Sequence, residues 1–174
     1  MLEFRILTEK EKQNWKDSIF ALCQNSDREF VPPLSQRSST TQATLTGGCE
    51  NGIASYCDEV LRQPVLACLE EGKLLGFVSF KENYVPEHYP DAKLPNIYLS
   101  TLILSPESRG RGLTKKLYNY LFTERFPNHS IYTRTWSTNV AHLKILEYFG
   151  FSLVVCIENH RGIGIDTVYY GLPR

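Results

Sequence analysis

No apolar run in the sequence approaches the roughly 20 residues that cross a bilayer, so no membrane partner is expected. The first residues, MLEFRILTEKEK, lack the basic-then-apolar order of a secretion signal, and a cytoplasmic location is expected. An excess of either charge is missing too. Lys+Arg and Asp+Glu number 19 each, so no global basic field recruits nucleic acid or anionic lipid. Cysteine is sparse and unpatterned: Cys23, Cys49, Cys57, Cys68 and Cys156 are odd in number and form no CxxC pair. Reduced thiols are expected rather than a disulfide framework. His88, His129 and His160 fall in separate polar stretches without ligand spacing, so no metal is expected.

What is present is an alternation of strand and helix patterns over 174 residues, a length that suits one domain, 1–174. EFRIL at Glu3–Leu7 is a short strand, and the T-x-x-E box at Thr8 and Glu11 opens a helix running to about Cys23. A Ser-, Thr- and Pro-rich stretch, Asn25–Gly48, follows. It is either a connector or a segment that covers a substrate. A second helix is expected over Asn51–Arg62, then a hairpin of Val65–Leu69 and Leu74–Phe80 around EEGK. After the polar loop Lys81–Pro95 comes an apolar strand, Ile97–Leu104, and a helix from Leu113 to Phe126. Ser130–Trp136 is a strand and Asn139–Phe149 a helix closed by Gly150. Ser152–Glu158 and Thr167–Gly171 are final strands. This order predicts an α/β (α+β) fold: a mixed sheet with helices on its faces.

The chemistry concentrates in RGRGLT, Arg109–Thr114, between the apolar strand and the helix beginning at Leu113. A strand, a glycine loop and a helix start bring free backbone N–H groups and the positive helix end to one spot, which suits an anion. The P-loop spacing GxxxxGK[ST] is absent, and Lys115 stands where a dinucleotide fingerprint needs its third glycine. The remaining pattern is R/Q-x-x-G-x-G/A, which Arg109 and Gly112 satisfy while Thr114 replaces the last small residue. Further on, Asn139 opens a helix that ends eleven residues later in Gly150-Phe151.

With that loop, that Asn…Gly-Phe block and that element order, the sequence resembles the GNAT superfamily of acyl-CoA-dependent N-acyltransferases. The resemblance implies a mostly antiparallel sheet with a splayed central strand pair and acetyl-CoA as co-substrate. It implies that Arg109, Gly110, Arg111, Gly112, Leu113 and Thr114 meet the coenzyme pyrophosphate. The backbone of Leu102, Ile103 and Leu104 would pair with the pantetheine arm, and Asn139 would reach its amides.

The family's usual acid and base are missing. Leu146 occupies the position of the common Tyr, and the central strand offers Tyr98-Leu99-Ser100-Thr101 without a carboxylate. Asn139, His142 and Leu146 are expected on one helix face, so His142 either lines the coenzyme arm or serves as proton donor. Glu82, at the end of the third strand, is a second candidate base, and water is a third route for the proton. The implied activity is acetyl transfer from acetyl-CoA to a primary amine. A small-molecule amine is favoured over a peptide amine, because no acidic patch is present. The acceptor is expected between the first two helices, the Asn25–Gly48 loop and the Lys81–Pro95 loop. A non-catalytic acyl-CoA-binding module is the alternative. A nucleic-acid partner for RGR would need more basic and aromatic clustering than this chain has.

Overall fold

The computed structural model describes residues 1–46 and 52–174. The Thr8 hydroxyl accepts from the Glu11 N–H at 3.3 Å, while the Glu11 carboxylate accepts from the Thr8 N–H at 2.8 Å. That capping box follows strand β1 (Leu2–Ile6) and starts α1 (Glu9–Ser26). Helix α2 (Gly52–Arg62) precedes β2 (Val65–Glu70), β3 (Lys73–Glu82) and β4 (Asn96–Leu104). Then come α3 (Leu113–Asn119), β5 (Ser130–Trp136), α4 (Val140–Tyr148), β6 (Ser152–Ile157) and β7 (Thr167–Leu172). The seven strands form one sheet in the order β1-β2-β3-β4-β5-β7-β6, antiparallel throughout except for the parallel pair β4–β5.

Helices cover both faces. Ile19, Leu22 and Cys23 of α1 and Tyr56 and Val60 of α2 pack on Ala67, Phe77 and Ile103. On the other face Leu113, Leu117, Leu121 and Leu146 pack on Leu66, Val78 and Leu99. Each such side chain, fully buried, stabilises the fold by roughly 1.5–3 kcal/mol before entropy is counted. The expected element order and the mixed, mostly antiparallel sheet are both present.

Three local features differ from the sequence reading. The helix predicted over Leu113–Phe126 widens after Asn119 into a π-helical segment, Tyr120–Arg125. There the Phe126 N–H reaches the Leu121 carbonyl at 2.9 Å, and the Arg174 guanidinium donates to the Phe122 carbonyl at 2.8 Å. The stretch after α1 is not slack over its described part. Asp27 accepts from the Ser35 N–H and hydroxyl at 2.7 and 2.8 Å, and Leu34 is fully buried. The expected helix start at Asn51, the loop end at Gly48 and Cys49 lie outside the described residues. Third, β4 carries a bulge: Thr101 pairs with Ser79 and Leu99 with Phe80, leaving Ser100 without a partner in register.

Cys23, Cys57 and Cys68 are buried, Cys156 is exposed, and all four are free thiols. Burial holds the Cys68 thiol up, at about 11. The thermal midpoint is therefore expected to be the same with and without reductant. A large drop under reductant in a thermal scan would contradict this.

Candidate active site

The bulge at Ser100 turns the second half of β4 away from β5. The two strands pair only from Asn96↔Ser130 to Leu99↔Thr133, and beyond that point they diverge. The Ser100 hydroxyl is anchored to the Ser79 hydroxyl and carbonyl at 2.9 and 3.0 Å and to the Gln63 side chain, which fixes the turn-off point. Between the diverging strands lies a cleft of about 500 Å³. Leu102, Ile103 and Leu104 line it from β4, and Arg134 to Trp136 line it from β5. Among the described residues, the edge of β4 that faces this cleft carries no strand partner after Leu99.

The glycine loop sits at the mouth. Gly110 and Gly112 have φ of +74° and +71°, a region open to glycine at little cost, and a Cβ at either would meet only open space. Gly112 is the N-cap of α3 without a side-chain cap, and the first intrahelical bond runs from the Lys116 N–H to the Gly112 carbonyl at 3.2 Å. The N–H groups of Leu113, Thr114 and Lys115 thus have no intrahelical partner, and all three residues line the cleft. Arg109 lines it as well. Its guanidinium, however, already holds Glu29 at 2.7 and 3.1 Å and the Leu104 carbonyl at 3.3 and 3.4 Å. Arg111 does not line the cleft. It turns to Glu70 on β2, at 2.8 and 2.9 Å.

Asn139 caps α4: its Oδ1 accepts from the His142 N–H at 3.4 Å and its Nδ2 donates to Thr135 Oγ1 at 3.0 Å. With φ −80° and ψ 64° it stands outside the helical wheel. The cleft-facing positions are therefore Asn139, Ala141, His142 and Ile145, whereas Leu146, expected on that face, is fully buried in the core. His142 Nε2 lies 2.8 Å from the hydroxyl of Tyr118 on α3, a buried cleft residue that the sequence reading did not single out. Burial pushes the Tyr118 phenol up, keeping it protonated, and pushes His142 down to about 4. At neutral pH the pair is thus a protonated phenol hydrogen-bonded to a neutral imidazole.

The His142 shift has a consequence for stability. The unfolded chain takes up a proton near pH 6.5, the folded chain only near 4, so stability is present above pH 6.5 and lost as pH falls towards 4. His142→Gln is expected to flatten that part of a thermal-midpoint profile between pH 7 and 4. An unchanged slope would remove His142 as its source.

Two expected elements are elsewhere. Glu82 is exposed and pairs with Ile97, at the end of β4 remote from Leu102–Leu104, because β3 runs antiparallel to β4. The Lys81–Pro95 loop does not line the cleft either. Its Tyr84 and Tyr89 pack tilted against Tyr98 and Tyr132, with centroids at 4.9 and 5.7 Å. The second wall comes instead from Arg161, between β6 and β7, which joins Phe30, Arg37 and Thr40 from the stretch after α1. Arg134 in SIYTRTW was the readable signal, the one charge in an otherwise uncharged strand.

Residues 29–151 match the family model described as Acetyltransferase (GNAT) family. No curated protein matches the sequence. Among solved structures, a GNAT family acetyltransferase from Bacillus cereus is 16% identical over 100% of this chain and 98% of its own, with TM-score 0.66. The yncA protein from Salmonella typhimurium, solved with its cofactor acetyl-CoA, is 19% identical over 99% and 93%, with TM-score 0.65. A ribosomal-protein-alanine N-acetyltransferase from Brucella melitensis is 16% identical over 99% and 99%, with TM-score 0.65.

Proposed function

The chain belongs to the GNAT family of acetyltransferases, an acetyl-CoA-dependent family of transferases, and from that premise we propose that it acetylates a primary amine on a small molecule. The observation that carries this reading is the cleft between the diverged halves of β4 and β5, with the glycine loop at its mouth. Acetyl-CoA supplies the activated acetyl group as a thioester. The chain's residues fit its shape and charge. Gly110 and Gly112 leave open space for a pyrophosphate, and the N–H groups of Leu113, Thr114 and Lys115 are free to donate to it. The unpartnered edge at Leu102, Ile103 and Leu104 suits an extended amide-bearing arm, and Asn139 stands ready for a further amide.

In the reaction, free N–H groups on the β4 edge polarise the carbonyl under attack, and the cleft aligns the neutral amine with it. Tyr118, its phenol protonated at neutral pH, returns that proton to the departing sulfur, and His142 positions the hydroxyl in the tautomer whose Nε2–H donates to the Tyr118 oxygen, which leaves the phenol proton free. Glu82 takes no part in this scheme. Enclosure of the acceptor end by Phe30, Arg37, Thr40 and Arg161 supports a compact acceptor over a folded protein surface.

The second reading, an acyl-CoA-binding module without turnover, draws on one observation. The only carboxylate lining the cleft among the described residues, Glu29, is held by Arg109 and offers no free base. Release of thiol from acetyl-CoA in the presence of a panel of amines separates the two. Amine-dependent release is expected; tight acetyl-CoA binding with no release for any amine would favour the module.

A further inference from the structure

We infer that the acceptor amine carries an oxyanion, a carboxylate or a phosphoryl group, held by Arg37, Arg134 and Arg161. All three line the far wall of the cleft, from three separate segments: the stretch after α1, strand β5 and the β6–β7 loop. Arg37 and Arg161 are only 5% and 7% exposed. Among the described residues none of the three forms a salt bridge.

Their partners are all neutral. Arg37 donates to the Pro32 and Val31 carbonyls at 3.0 and 3.4 Å, and Arg161 shares that Val31 carbonyl at 2.6 Å and reaches Thr167 at 2.9 Å. Arg134 donates from Nη1 to the Gln42 carbonyl at 2.7 Å and the Tyr169 hydroxyl at 3.3 Å, while its buried Nη2 has no partner among the described residues. Stapling of loops by carbonyl bonds accounts for Arg37 and for part of Arg161. It does not account for the unpaired Nη2 of Arg134, or for three like charges gathered in one wall.

A buried cation is costly unless an opposite charge meets it. Burial, then repulsion from Arg37 and Arg134, draws Arg161 down to about 9, which is the mark of a charge without its counter-ion. Planar guanidinium forks suit the oxygens of a carboxylate or phosphoryl group, and the rings of Phe30 and Trp136, which carry Arg37 and Arg161 at 5.4 and 5.7 Å, give the wall an apolar part as well.

This assignment rests on the acetyl-transfer reading and names its substrate class. The ammonium of the acceptor first gives one proton to solvent. Its nitrogen then bonds to the acetyl carbon as the carbon–sulfur bond breaks, and the second amine proton is balanced by the one delivered to sulfur. The products are an N-acetylated anion and free thiol.

The test compares each α-amino acid with its own amide, and glycine with aminomethylphosphonate, in the thiol-release assay. Acids are expected to exceed their amides by at least about 10²-fold in kcat/KM, because the amide leaves buried charges unpaired. Glycine against aminomethylphosphonate tells carboxylate from phosphoryl. Arg134→Gln and Arg161→Gln are expected to reduce the acid-to-amide ratio to below about tenfold; should either fail to fold, the wild-type ratio still decides. Amides or polyamines that serve as well as acids would overturn the assignment while leaving acetyl transfer intact. If no amine of any kind is acetylated, acetyl transfer falls and the anion site is judged alone. A rise in thermal midpoint with inorganic phosphate that is lost in Arg134→Gln would sustain it, and no rise would end it.

Discussion

Gly112→Glu is expected to abolish acetyl-CoA binding while leaving the protein folded. Gly112 holds φ at +71° as the N-cap of α3, and space around its Cα is open, so a side chain there would project into the mouth of the cleft. A non-glycine residue in that conformation costs roughly 1–2 kcal/mol, partly offset by about 0.3–1 kcal/mol from a carboxylate at a helix N-terminus. The fold should survive that balance. The ligand should not, because the new carboxylate would occupy the free N–H groups of Leu113 to Lys115 and repel a pyrophosphate. Gly112→Ala carries the backbone strain without the charge and should weaken binding far less. Isothermal titration of acetyl-CoA against both variants is the measurement. An unchanged affinity in folded Gly112→Glu would remove the loop from the coenzyme site.

Tyr118→Phe is expected to lower kcat by roughly 10²-fold at saturating acetyl-CoA while its affinity stays near that of the wild type. The substitution deletes one hydroxyl, the one 2.8 Å from His142 Nε2, and keeps the ring that packs on Phe122 and Phe149. His142→Ala should act differently. It removes part of the cleft wall as well as the hydroxyl's anchor, so acetyl-CoA affinity should fall and kcat should drop by less than in Tyr118→Phe. A saturated rate in Tyr118→Phe equal to the wild type would retire the phenol as donor and leave water in that role. An intact coenzyme affinity in His142→Ala would retire the imidazole as part of the wall.

The strand and helix order was readable because each element buries one face and so stamps its own period on the chain. Ile97–Leu104, the T-x-x-E box and the glycine loop before Leu113 are all local signals, and all lie where the periodicity put them. The π-helical turn at Tyr120–Arg125 was not readable, since its apolar spacing matches an α-helix and the guanidinium that meets its Phe122 carbonyl, Arg174, lies far along the chain. The bulge at Ser100 was hidden for a similar reason: its partners, Ser79 and Gln63, come from other elements. Reading Leu146 onto the cleft face failed because the cleft face of α4 is centred on Ala141 and Ile145, with His142 at its edge, and Leu146 falls beyond that edge into the core. The acceptor wall was the least legible part. Arg37, Arg134 and Arg161 share no motif, and only the folding of three segments onto one cleft makes them neighbours.

A wall of positive charge also acts on a proton it never touches. An amine reaches the cleft as an ammonium and must become neutral before its lone pair can attack. Arg37, Arg134 and Arg161 all repel the ammonium form and leave the neutral form alone. At about 8 Å and an effective dielectric of about 20, each unit of net charge in the wall disfavours the ammonium by about 2 kcal/mol, more than one pKa unit. An oxyanion on the acceptor cancels one of the three and leaves the rest in force. On the proposed assignment the cleft can therefore run without a carboxylate to collect the proton: the field of the wall would drive deprotonation, and solvent would serve as the sink.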